Sequence, residues 1–124
     1  MPEFQIDRFY ETLFKSNATE GWLLAGKPPI LRIGNQMREL EIPRLTSNDI
    51  INVMQSVAGG DNVDLYNKNG MVDFPVIFSD RGMTLEVSMI NNAGRCFVLF
   101  RAFKSPHSGA ARNAGPATVT AKKR

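Results

Sequence analysis

Residues 71–103 read MVDFPVIFSDRGMTLEVSMINNAGRCFVLFRAF, and this stretch decides the fold. Three segments within it, 71–78, 83–90 and 95–103, are rich in Val, Ile and Phe and repeat with a period of two. That is the period of a β-strand, whose side chains point alternately to opposite faces of a sheet. Asp80-Arg81-Gly82 and Asn91-Asn92-Ala93-Gly94 separate the segments, and both are built from turn-forming residues. The pattern predicts an antiparallel meander of three strands. Pro75 has no N–H to give to a ladder, which makes the first of them an edge or bulged strand.

Upstream the period changes. Thr46-Ser47-Asn48-Asp49 is a helix start, with Thr46 as cap and Asp49 able to bond back. Ile50, Ile51, Val53, Met54 and Val57 carry the helical period, and Gly59-Gly60 ends it. The polar segment 61–70, DNVDLYNKNG, is expected to hold one short helical turn. Further upstream, residues 30–42 read as a hairpin about the turn Gly34-Asn35, entered from Pro28-Pro29 and stopped by Pro43. GWLLA at 21–25 is a short apolar run. Residues 4–15 form a helix in which Ile6, Phe9, Tyr10, Leu13 and Phe14 make one stripe. Glu11 and Lys15 stand at i and i+4 on its solvent side, and Asn17 can end it. Runs of strands instead of strict β–α alternation predict an α+β class, with an antiparallel sheet of about six strands and helices packed on one face.

The chain has 124 residues, 43% of them hydrophobic, which is enough for one domain with its own core. Its net charge of +3 is unevenly placed. Residues 104–124 carry five basic residues and no acid, whereas residues 1–103 hold ten basic and all twelve acidic residues. The expected division is therefore a mildly acidic domain at 1–103 and a disordered basic tail at 104–124. Five spread charges do not support specific nucleic-acid binding. No apolar run reaches the ~20 residues of a transmembrane helix. The N-terminus lacks a basic region followed by an apolar one, and Cys96 stands alone. Together these point to a cytoplasmic protein.

Catalytic chemistry is hard to assemble from these residues. His107 is the only histidine and lies in the tail, so a nucleophile–His arrangement on the domain is not expected. One Cys and one His cannot close a zinc site. No phosphate-cradling glycine loop is present, and Lys27 after Gly26 is followed by Pro28, which has no N–H. Asp73 and Asp80 read as strand-end and turn solubility, and Cys96 as an inert thiol in an apolar strand. Trp22 fits core or interface packing. Arg101, between Phe100 and Phe103 in a strand, fits either a solvated strand face or a contact with a partner.

Residues 18–34, ATEGWLLAGKPPILRIG, resemble a segment of the N-terminal domain of type IV pilus retraction and type II secretion motor ATPases of the PilT type. Ala18, Leu23, Gly26, Pro28, Pro29 and Arg32 fit that family's pattern, with Thr19 and Glu20 as close substitutes. Val72-Asp73-Phe74 and Val98-Leu99-Phe100-Arg101 extend the resemblance over about residues 4–103. It implies a PAS-like α+β domain that in the motors sits ahead of a RecA-like ATPase domain and packs on the neighbouring subunit of a hexameric ring. It also implies that arginines of the last strands approach the nucleotide. Here Glu20-Gly21-Trp22 replaces the family's Asp-Leu/Ile-His, and Glu86 stands where its strand has a second arginine.

These readings lead to a non-catalytic interaction domain with no cofactor and no nucleotide binding. Its expected partner is a motor ATPase of a type IV pilus or type II secretion system, or a second copy in a homo-oligomer. Trp22, Arg32, Arg95 and Arg101 are the candidate interface residues. The alternatives are a PAS-like small-molecule sensor, with a pocket between sheet and helices, and a secretion-chaperone-like dimer.

Overall fold

The computed structural model describes residues 4–105 and 119–120. In chain order the elements are α1 (Ile6–Lys15), β1 (Glu20–Leu24), β2 (Ile30–Ile33), β3 (Gln36–Glu39), α2 (Ser47–Ala58), α3 (Gly60–Asn69), β4 (Met71–Phe78), β5 (Met83–Asn92), β6 (Arg95–Lys104) and β7 (Val119–Thr120). A 3₁₀ turn, Ser79–Arg81, joins β4 to β5. The architecture is α+β, as the runs of strands predict.

The meander forms as its period requires. β4, β5 and β6 pair antiparallel in sequence order. Ala93 and Gly94, both at positive φ, make the two-residue turn between β5 and β6, and the Asn91 side chain accepts from the Gly94 N–H at 3.1 Å. The N-terminal hairpin then adds to the meander through β1, which pairs antiparallel with β6. The sheet order is β3-β2-β1-β6-β5-β4-β7. Pro75 lies in β4, whose outer edge meets, among the described residues, only the two-residue β7 opposite Val76 and Ile77.

One face of this sheet carries the core. Gly21, Leu23, Leu31, Val72, Phe74, Val76, Leu85, Val87, Met89, Val98 and Phe100 are its strand residues, all buried. They pack with Phe9 and Leu13 of α1 and with Ile50, Val53 and Met54 of α2. Phe100 meets Phe9 with ring centroids 5.4 Å apart, and Tyr10 meets Phe78 edge-on at 4.9 Å. Helix α2 begins with a reciprocal capping box: the Asp49 N–H donates to Thr46 Oγ1 at 3.0 Å, and the Thr46 N–H to Asp49 Oδ2 at 2.8 Å. Asn17, at φ 57, turns the chain out of α1.

Four expectations need correction. The segment 61–70 is the ten-residue helix α3, not a single turn. Val63 and Tyr66 pack against the core, and Gly70 in the left-handed region closes the helix with its N–H on the Tyr66 carbonyl at 2.8 Å. The hairpin's second strand ends at Glu39: at the next pair the Leu40 N–H still donates to the Pro29 carbonyl at 2.9 Å, but Pro29 has no N–H to return the bond. Glu11 pairs with Arg81 and not with Lys15. The 3₁₀ turn brings that guanidinium over the Phe14 ring, 5.0 Å from its centroid, within reach of the carboxylate. Finally, β6 runs one residue past the expected boundary to Lys104, and the Ser105 N–H bonds the Gly82 carbonyl at 2.8 Å. Of the expected disordered tail, Lys104, Ser105 and the two residues of β7 are described. The rest lies outside the described residues.

Candidate functional site

Among the described residues, no helix lies on the opposite face of the sheet. Strand alternation puts Trp22 and Leu24 of β1, Ile30 of β2, Phe97 and Leu99 of β6, and Ile90 of β5 on this side, all half-buried. Met37, Met71 and Phe103, on the same side, are 54%, 46% and 49% exposed. Trp22, Leu24, Ile30, Phe97, Leu99 and Ile90 fall in two adjacent rows, with Met71 beside Ile90, whereas Arg101 and Glu86 lie between these rows and Phe103. Trp22 lies opposite Ile30 on one side and Leu99 on the other, and Leu24 lies opposite Phe97.

A row of charges crosses the same face at right angles to the strands. Arg32 lies opposite Glu20, Glu20 opposite Arg101, and Arg101 opposite Glu86. The sign therefore alternates across β2, β1, β6 and β5. Arg32 and Glu20 are 3.6 Å apart. Arg101 is exposed and, among the described residues, forms no ion pair within 4.0 Å.

All four candidate interface residues fall on this helix-free face. Trp22, Arg32 and Arg101 are neighbours across β2, β1 and β6. Arg95 stands apart, at the start of β6, where it lines an open cleft of about 520 Å³ with Leu24, Ala25, Ser47, Asn92 and Phe97. The candidates missed by the sequence reading are Leu99, Phe97 and Ile90 as apolar contact residues and Glu20 as a charge partner. The period of two marks the first three as one face of a pair of strands. Nothing local to residue 20 reveals that it faces Arg101.

Asp73 is exposed on β4 and Asp80 lies in the 3₁₀ turn, on different elements. Cys96 faces the helix side, where burial first and then Cys96 itself push the Tyr66 phenol above its ordinary value, against a weaker pull from Asn91. Among the described residues no group of three or more His, Cys, Asp or Glu could hold a metal ion. No helix there is long and apolar enough to cross a membrane.

No protein-family model matches the chain, and no curated protein does. Solved motor structures do. The pilus retraction motor PilT with bound ADP matches with a TM-score of 0.69 and 28% identity, over 80% of this chain and 29% of that one. This chain resembles the N-terminal domain of PilT-like motor ATPases. The ATPase DotB of Legionella pneumophila matches at 0.65 and 16% identity, over 82% of this chain and 30% of that one. DotB of Yersinia pseudotuberculosis matches at 0.63 and 13%, over 82% and 31%. At those identities the DotB likeness concerns the fold alone. This chain thus spans about three-tenths of each of those proteins.

The segments that carry the PilT resemblance meet at the site. Gly26-Lys27-Pro28-Pro29 turns β1 into β2, with Gly26 at φ 90 and its N–H on the Leu45 carbonyl at 2.7 Å. That turn delivers Arg32 to the charge row. Val98-Leu99-Phe100-Arg101 is the middle of β6, with Leu99 and Arg101 on the helix-free face and Val98 and Phe100 in the core. Glu86, one of the residues that depart from the PilT-like pattern, faces Arg101 across the β5–β6 ladder.

Proposed function

We propose that this chain is a non-catalytic interaction domain of a pilus or secretion motor system, and that the helix-free sheet face is its docking surface. The single observation that carries this reading is that face: an apolar surface centred on Trp22 and Leu99, crossed by an ordered row of charges. A sheet face that is merely solvated alternates apolar-in with polar-out. Here the outward positions of β1 and β6 are Trp, Leu, Phe and Leu at their centre, the composition of an interface core with charges at its border. Residues Trp22, Arg32 and Arg101 take part directly, and Arg95 borders the surface. The partner class follows from the PilT likeness: a motor ATPase or another PilT-like domain, on the cytoplasmic side.

The charge row argues against a phosphate-binding role. Arg101 has Glu20 and Glu86 on its two flanking strands, so an anion approaching it meets two carboxylates. ATP turnover and nucleotide binding are expected to be absent from the purified chain. The sensor alternative requires a pocket between the layers. The cleft beside Arg95 lies at the end of the sheet, where Ser47, the first residue of α2, and Cys96 line it together with residues of β1 and β6.

The docking surface is tested with Leu99→Arg, which puts a charge in the centre of the face and leaves the helix-covered core untouched. Purified PilT hexamers and the purified chain are the binding partners, read by co-sedimentation. Loss of binding with an unchanged circular dichroism melt supports the reading. Equal binding by Leu99→Arg and the parent chain overturns the assignment of this face.

A further inference from the structure

We infer that the helix-free face pairs with the same face of a second copy of this chain, about a two-fold axis lying in the interface and nearly parallel to the strands. The inference rests on the reading of that face as a docking surface and names one occupant for it.

The order of charges carries the argument. Across the strands the row reads Arg32, Glu20, Arg101, Glu86. A two-fold axis along the strand direction, passing between β1 and β6, exchanges the two ends of this row. Arg32 then faces Glu86 of the second copy, and Glu20 faces its Arg101. Each contact occurs twice, so all eight charges meet an opposite sign. An axis across the strands would instead set every charge against its own kind. The row is thus self-complementary in one orientation only, the property an isologous contact requires.

The neighbouring residues obey the same exchange. Beyond the ends of the row lie Met37 on β3 and Pro75 on β4, which face each other. In the adjacent rows Trp22 faces Leu99 of the copy, and Leu24 faces its Phe97. Face-to-face sheets pack about 10 Å apart, a gap that an Arg from one side and a Glu from the other can span. Six strands spaced by roughly 4.8 Å and overlapping over about 15 Å project on the order of 400 Å². Side-chain relief carries the accessible area toward the ~800 Å² per partner of a standard interface. One pair opposes the arrangement: Glu39 on β3 meets Asp73 on β4 of the copy at the rim, where both are exposed. Solvent and salt screen that repulsion.

Sedimentation equilibrium on the full chain decides it. The parent chain is expected to dimerise. Glu20→Arg and Arg101→Glu each set two like charges against each other twice and should weaken dimerisation by about 100-fold or more. Mixed in equal amounts, the two variants restore every opposite-sign contact between unlike chains and should form a heterodimer. The double variant Glu20→Arg/Arg101→Glu should dimerise again on its own. Circular dichroism melts of each variant confirm that the fold is kept. A parent chain that stays monomeric at 100-fold above micromolar concentration overturns the inference, as does a mixture that fails to pair. If the parent is monomeric while Leu99→Arg still loses PilT binding, self-pairing falls and the docking surface stands. If both tests fail, the surface itself is wrongly assigned.

Discussion

Gly21 and Trp22 are consecutive residues of β1, yet they face two different environments. Gly21 looks toward the helices, where a Cβ would stand 2.8 Å from Phe9 Cζ, 3.2 Å from Leu13 Cδ1 and 3.3 Å from Leu31 Cδ2. Trp22 looks the other way and remains half-buried with no helix of the described residues above it. Phe100 and Leu99 of β6 repeat the contrast, the first fully buried and the second not. On the covered face, residue choice is set by volume, since interiors are close-packed and a single added methyl is felt. On the free face it is set by the order of charges and by apolar area left over after folding. On the proposed reading, stability is written on one side of the sheet and association on the other.

The contrast is broken most severely at Phe100. Phe100→Ala should cost about 3–5 kcal/mol of stability, because it removes a ring packed against Phe9 and Tyr10. Leu99→Ser, one residue away on the free face, should cost at most about 1 kcal/mol. Urea unfolding midpoints of the two variants give the comparison, and equal costs would mean that both faces are core. Gly21→Ala should follow at about 1–3 kcal/mol through overpacking against Phe9. Its neighbour Trp22→Ser should leave the melting temperature closer to that of the parent chain.

A third expected effect is confined to alkaline solution. Burial, and next the charge of Asp7, push the Tyr10 phenol far above its ordinary value. The folded state holds this proton more tightly than the unfolded chain does. Stability from Tyr10 is thus complete below about pH 10, the ordinary phenol value, and is lost as the pH rises beyond it. Tyr10→Phe should match the parent chain at pH 7 and exceed it in thermal stability above about pH 10. Parallel alkaline losses in both chains would remove Tyr10 as the cause. The smallest effect belongs to Arg101→Ala, which should change stability by no more than about 0.5 kcal/mol, since the side chain is exposed. A larger loss in the denaturation curve would make Arg101 a structural residue and shift the comparison between the faces.

Much of this was legible before any coordinates. The order of three strands, two helical segments and three more strands follows from local periods and from the turn residues at 34–35, 79–82 and 93–94. The alternation also places Arg95 and Arg101 on one side of the last strand, opposite Val98 and Phe100. The length of α3 was not legible, because Val63 and Tyr66 are too few to give a helical stripe until the core supplies their contacts. Nor was the pairing of Glu11 with Arg81, which depends on where the turn after β4 lands relative to α1.

The sequence by itself determined which segments are strands and helices, the extent of α3 excepted, and which residues of each strand share a face. Those properties depend on neighbours within a few positions, where the periods of 2 and 3.6 act directly. Only the tertiary structure decided that β1 joins the meander beside β6, in the register that sets Glu20 opposite Arg101 and Gly21 opposite Phe100. That register joins segments far apart in the chain. It is fixed by the packing of Phe9, Leu13 and Leu31 around Gly21 on the covered face, and a slip of one residue would send Trp22 into that space. The charge row on the free face is aligned by the fit of side chains on the other.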